Sequence, residues 1–220
     1  MYIKPNDKVE IHYLDNLLSL ENYFSLNYDN NAKYIEKIEL FAFISSTIIN
    51  MSHLFEKWNS LALINLSDFN YSSVKDMSYI FSECSFESID LSYLNTPEVE
   101  DFSHIFEGCK SLKEINITNF NNEKMKDISY MFSGCTSITS IDLSILNNIS
   151  IIKIGHIFEG CSSLKEINVT NLKTEKTEDM SYMFSGCSSL ESIDLSNLDT
   201  TLVINLSHIF EGCSILKSIT

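Results

Sequence analysis

The chain has 220 residues, 44% hydrophobic and 20% charged, enough apolar material for a sizeable core and too much for a disordered polymer. Its formal charge is −15, from 30 acidic against 15 basic residues, which argues against a nucleic-acid partner or an anionic membrane surface. Two prolines and six glycines leave no Pro/Gly-rich linker to divide it.

Residues 1–34 open the chain with Met1 to Glu10, a polar stretch of mixed charge with no apolar core of the kind an export signal carries. No run approaches the roughly 18 apolar residues of a transmembrane helix. Leu14, Leu17, Leu18 and Phe24 then read as an amphipathic helix, so residues 1–34 are expected to be a partly helical N-terminal cap.

From residue 35 a period takes over. Phe55, Phe81, Phe106, Phe132, Phe158, Phe184 and Phe210 are separated by 26 residues, with a single step of 25 between Phe81 and Phe106. Three residues after each Phe stands Cys84, Cys109, Cys135, Cys161, Cys187 or Cys213, and Trp58 takes that place in the first unit. The short step reflects one residue missing after Cys84, so that Phe86 falls where Leu112 and Leu164 sit elsewhere.

Each unit carries two apolar patterns. Leu164, Ile167, Val169 and Leu172 show the alternation of a strand with one buried face, and strands are expected around Ile38, Ile64, Ile89, Ile115, Ile141, Ile167, Ile193 and Ile219. Met180, Met183, Phe184 and Cys187 are spaced i, i+3, i+4, i+7, one stripe of a short helix or tight helical turn. Gly186 follows, where positive φ helps stop a helix. A longer alternation overlies this one: His53, His104, His156 and His208 alternate with Tyr79, Tyr130 and Tyr182, as if the array grew by duplicating pairs.

The predicted fold is an α/β repeat: a leucine-rich-repeat-like solenoid over residues 35–220, about seven 26-residue repeats, with a parallel β-sheet on one face and short helices or turns on the other. The chain stops in a strand at Ile219–Thr220. That end is expected to be uncapped and to associate with a second chain through its edge.

The unit Asp179–Thr200, read as M-x-x-M-F-x-x-C-x-x-L followed by I-D-L-S-x-L, resembles the BspA-like leucine-rich repeats of microbial surface proteins. The resemblance covers residues 35–220. It implies a right-handed parallel-sheet solenoid and, as in many of those proteins, adhesion at a cell surface. It supplies no catalytic residues.

Function is expected on the strand residues that point away from the core. After each isoleucine come Asp90, Asn116, Asp142, Asn168 and Asp194, and before it Glu114 and Glu166. Each rung thus carries one carboxylate, alternately in two columns, which keeps like charges about 10 Å apart within a column, near the screening length. Asp90, Glu114, Asn116, Asp142, Glu166, Asn168 and Asp194 are the candidate binding residues. The expected partner is a protein or a glycan.

The cysteines read as a buried spine rather than disulfides, because stacked equivalent side chains run parallel instead of converging. His and Glu at i and i+3 share a face, as in His104/Glu107, but two ligands are too few for a tight metal site. No nucleophile elbow, phosphate loop or dinucleotide motif occurs. The sequence therefore predicts no enzyme, no cofactor and no metal: a non-enzymatic interaction or adhesion module, with a structural spacer or fragment of a larger surface protein as the alternative.

Overall fold

The computed structural model describes residues 8–11, 37–40, 48–58, 63–65, 71–120, 123–147 and 151–220. Among the described residues nine short strands occur in chain order: β1 Lys8–Ile11, β2 Lys37–Leu40, β3 Leu63–Asn65, β4 Ser88–Asp90, β5 Glu114–Asn116, β6 Ser140–Asp142, β7 Glu166–Asn168, β8 Ser192–Ile193 and β9 Ser218–Ile219. All pairing is parallel. Isoleucine meets isoleucine in the register, as Ile89↔Ile115 and Ile141↔Ile167.

The parallel strands expected from the sequence pair in groups among the described residues. β1–β2–β3 make one sheet, and β4–β5, β6–β7 and β8–β9 make separate two-stranded ones. The ladder that runs unbroken across the described rungs is a second one, of isolated parallel bridges from Asn50 through Asp76, Asp101, Asp127, Lys153 and Asp179 to Asn205.

The segment following each bridge is a chain of turns, and no helix occurs among the described residues. The helical spacing is satisfied differently. The N–H groups of His104, Phe106 and Gly108 donate to the carbonyls of Ser129, Met131 and Ser133 on the next rung, at 2.9, 3.0 and 2.7 Å. Between them, Glu107 and Cys109 donate three residues back, to His104 and Phe106. An α-helix would spend all of these donors within one rung. Alternating them ties rungs together, and it requires positive φ at His104 (58°) and Gly108 (70°). Thus the reading "helix or turn" resolves to turn.

The core is a set of columns. Phe55, Phe81, Phe106, Phe132, Phe158, Phe184 and Phe210 stack with ring centroids 5.5–5.9 Å apart. Each buried Phe contributes about 2–3 kcal/mol of apolar transfer free energy. Trp58 is buried edge-on against Phe55, and Phe86 fills the leucine slot of the short rung against Phe81. All six cysteines are free thiols. Five are buried, and each donates to the carbonyl of a Phe on the preceding rung, as Cys109 to Phe81 and Cys161 to Phe132, both at 3.1 Å. Burial pushes the Cys109 and Cys161 thiols up to about 12.

β1 adds a rung before the predicted first strand, with Val9 opposite Ile38. Leu14, Leu17, Leu18 and Phe24, on which the helical cap was placed, lie outside the described residues. At the other end Leu202, Ile204, Leu206, Ile215 and Ile219 are exposed.

Candidate functional site

The strand face has the geometry the spacing implied. Ser88 pairs with Glu114, Asp90 with Asn116, Ser140 with Glu166, and Asp142 with Asn168, so the carboxylates alternate between two columns. Asp90, Glu114, Asn116, Asp142, Glu166 and Asp194 are exposed and Asn168 is half-buried.

The Asp/Asn column has a structural task of its own. The Oδ1 atoms of Asp90, Asp142 and Asp194 accept the backbone N–H of Ser92, Ser144 and Ser196 at 2.8–2.9 Å. Asn116 and Asn168 do the same for Thr118 and Thr170. Each closes an Asx turn that bends the chain out of its strand. The backbone N–H of Ser92, then its hydroxyl, hold the Asp90 carboxyl below its usual range, and the Ser196 hydroxyl and N–H do so for Asp194. Glu114 and Glu166 project from the face without an ion-pair partner among the described residues. Beside them, Lys113 pairs with Glu87 and Lys217 with Glu191 across one rung, both at 2.8 Å.

A second surface, which sequence reasoning did not assemble, lies along the turns. His53, Tyr79, His104, Tyr130, His156, Tyr182 and His208 form one column of stacked rings, with centroids 4.1–4.7 Å apart and planes within 8–15°. All seven have positive φ, between 54° and 61°. Each His Nδ1 lies 2.6–2.8 Å from the Oε2 of the Glu three residues on, in the pairs His53/Glu56, His104/Glu107, His156/Glu159 and His208/Glu211. The alternation of His and Tyr at one register position was the signal. What it did not reveal is that the rings touch.

The ring column is flanked by the bridge residues. Asp76, Asp101, Asp127 and Asp179 each accept the N–H of the Ser two residues on. Asn50 and Asn205 donate side-chain N–H groups to Asp76 and Asp179, and Lys153 pairs with Asp127 at 2.8 Å. Asp101, between Asp76 and Asp127, has its carboxyl raised by burial and by those two neighbours, against opposing hydrogen bonds from Ser103. At the short rung a cavity of about 430 Å³ opens beside the rings, lined by Glu56, Tyr79, Glu83, Glu107, Lys110 and Ser111 among others. Among the described residues no group of three or more His, Cys, Asp or Glu side chains is arranged to hold a metal ion, and no helix is long and apolar enough to cross a membrane.

The family described as "Mycoplasma protein of unknown function, DUF285" matches residues 19–144 and 138–219. A crystal structure of a leucine-rich repeat protein from Bacteroides ovatus ATCC 8483 aligns at 19% identity and a TM-score of 0.49, over 100% of this chain and 64% of that one. A leucine-rich repeat protein from Eubacterium ventriosum ATCC 27560 aligns at 15% identity and a TM-score of 0.29, over 86% of this chain and 73% of that one. The chain therefore spans less than two thirds of the length of the Bacteroides protein. No curated protein matches it.

Proposed function

The chain belongs to the DUF285 family, and from that premise we propose that it is a non-enzymatic recognition module, a solenoid of BspA-like leucine-rich repeats that binds an extended partner. A stacked repeat offers a long surface with fixed spacing, which suits interaction better than catalysis. The observation that carries this reading is the pair Glu114 and Glu166. Both are exposed carboxylates outside any ion pair among the described residues, held in register by parallel pairing on a chain of net charge −15. Charge of one sign on a rigid surface favours and steers a basic protein partner. A glycan would instead use the Asn, Ser and Thr groups of the same face.

The Asx turns made by Asp90, Asp142 and Asp194 favour a second reading, a structural spacer whose acidic residues serve only the fold. The two separate by experiment. Glu114→Gln, Asp142→Asn, Glu166→Gln and Asp194→Asn combined remove four charges while keeping every Oδ1 acceptor, as Asn116 and Asn168 already demonstrate within the array. The recognition reading expects weaker binding to immobilised basic proteins with an unchanged unfolding midpoint. Equal retention of the parent chain and the variant on those proteins would favour the spacer.

A further inference from the structure

We propose that Asn116 and Asn168 are acceptor sites for N-linked glycosylation, each taking a phosphate-activated sugar onto its side-chain amide on the acidic strand face. The modification is independent of what that face binds.

Four Asn-x-Ser/Thr sequences lie wholly within the described residues, beginning at Asn50, Asn116, Asn168 and Asn205. A transferase needs two things from such a sequence: an amide nitrogen free to attack and a hydroxyl within reach. All four asparagines close the same turn. Oδ1 accepts the backbone N–H two residues on, from Ser52, Thr118, Thr170 and Ser207 at 2.7, 3.3, 3.2 and 3.0 Å. Asn168 Oδ1 also accepts the Thr170 hydroxyl at 2.8 Å.

The nitrogens divide the four into two kinds. In the bridge column, Asn50 Nδ2 donates to Asp76 Oδ2 at 3.1 Å and Asn205 Nδ2 to Asp179 Oδ2 at 3.2 Å. Ser52, which carries the hydroxyl of the first, is buried. On the strand face, neither Asn116 nor Asn168 donates its amide nitrogen to a described residue, and Thr118 and Thr170 are both exposed. Register adds room. Asp90 pairs with Asn116 and Asp142 with Asn168, so each acceptor lies beside a residue with no nitrogen to modify. The two acceptors stand two rungs apart, roughly 10 Å. A sugar on each would cover Glu114 and Glu166, which share the face.

The chemistry uses the turn. An amide nitrogen is a poor nucleophile because its lone pair is delocalised into the carbonyl. A hydrogen bond onto Oδ1 draws charge to the oxygen and makes an Nδ2 proton easier to remove. That proton passes to a base of the transferase as Nδ2 bonds the anomeric carbon of the sugar. The bond from that carbon to the phosphate oxygen breaks, and its electron pair leaves with the phosphate.

The folded chain is incubated with UDP-glucose and a soluble N-glycosyltransferase that modifies short synthetic peptides of all four sequences, and the products are mapped by mass spectrometry. Asn116 and Asn168 should gain a hexose about tenfold faster than Asn50 and Asn205, whose nitrogens must first leave a carboxylate. Thr118→Val keeps the backbone N–H of the turn and removes the hydroxyl. It should abolish transfer to Asn116 and leave Asn168 as it was, which also reports that the variant is folded; Thr170→Val should do the reverse. The chain isolated from its source cells should carry sugar on the same two asparagines. Single hexoses there point to a nucleotide donor, and a preassembled oligosaccharide points to a lipid-pyrophosphate carrier. Equal transfer to all four sites of the folded chain overturns the proposal, as does none to Asn116 and Asn168. Recovery of both asparagines unmodified from the source cells overturns it too, and none of these results bears on binding of basic proteins by the strand face.

Discussion

The Cys135 thiol donates to the main-chain carbonyl of Phe106, 3.1 Å away and one rung back. The same bond joins Cys84 to Phe55 and Cys187 to Phe158. The Phe106 carbonyl also accepts the Cys109 N–H at 3.1 Å, so the thiol is a second donor to it, reaching it from the next rung, where a methyl group could make no such bond. Replacing Cys135 by Ala should cost about 1–3 kcal/mol in urea unfolding, from the lost thiol hydrogen bond and the space left behind.

Thiol chemistry should follow burial. Desolvation raises all six thiols, but Cys213 alone is only half-buried. Native alkylation at mildly alkaline pH should therefore label Cys213 first and the other five only after unfolding, read by mass spectrometry. The sign of the linkage follows. With folded values of about 12 at Cys109 and Cys161 against 9.0 for the free group, stability is fully present below pH 9 and falls as pH rises toward 12, because the unfolded chain loses protons first. A stability plateau extending through pH 9–12 would contradict this.

Glu83 stands at φ 56°, in a slot filled by Gly108, Gly134, Gly160, Gly186 and Gly212 on later rungs. A side chain there costs about 1–2 kcal/mol in the left-handed region. Its nearest cation, Lys57, lies 3.5 Å away on an exposed side chain and offsets little of that. Glu83→Gly should raise the denaturant midpoint. Gly186→Ala should lower it further than strain alone predicts, because the added Cβ would lie 3.2 Å from the Gly160 Cα.

Sequence periodicity revealed which residues share a column and left open what each column does. The Phe and Cys columns, and Trp58 and Phe86 as their substitutes, were legible because bulk and polarity alone fix what can sit in a closed core. The turn was ambiguous because i, i+3, i+4, i+7 describes both an α-helix and a turn that donates alternate N–H groups to the next rung. β1 was missed because Val9 stands 29 residues before Ile38 and carries no Phe–Cys signature. The acidic strand face was legible, but the use of Asp142 to hold Ser144 depends on backbone direction, which spacing does not encode. His/Tyr stacking depends on ring orientation at positive φ, which it encodes even less.

Asp101 is raised by burial first and by Asp127 and Asp76 after it. A carboxyl raised on folding contributes fully below its unfolded value, near 3.9, and that contribution is lost as pH rises through the folded value. At neutral pH the ionised group therefore opposes folding. Asp101→Asn keeps the Oδ1 acceptor for Ser103, as Asn50 and Asn205 do for Ser52 and Ser207 in the same column. The variant should be more stable than the parent at pH 7, with the difference shrinking as pH approaches 4. A gain of equal size at both pH values would mean that charge is not its cause.

Tyr130 tests how the ring column is held. Its centroid lies 4.4 Å from that of His104 and 4.3 Å from that of His156, and its φ is 58°. Two opposing terms meet there: stacking on both faces, each contact worth about 0.5–1.5 kcal/mol, and left-handed strain of about 1–2 kcal/mol. Tyr130→Ala discards the stacking and keeps the strain, so it should lose about 2 kcal/mol. Tyr130→Gly discards both and should lie about 1 kcal/mol above the alanine variant. Tyr130→His keeps a planar ring in the column and should remain close to the parent. Urea midpoints order the three variants. If histidine fell as far as alanine, ring stacking would not be what stabilises this edge, and if glycine and alanine were equal, the positive φ would carry no strain for the rings to offset.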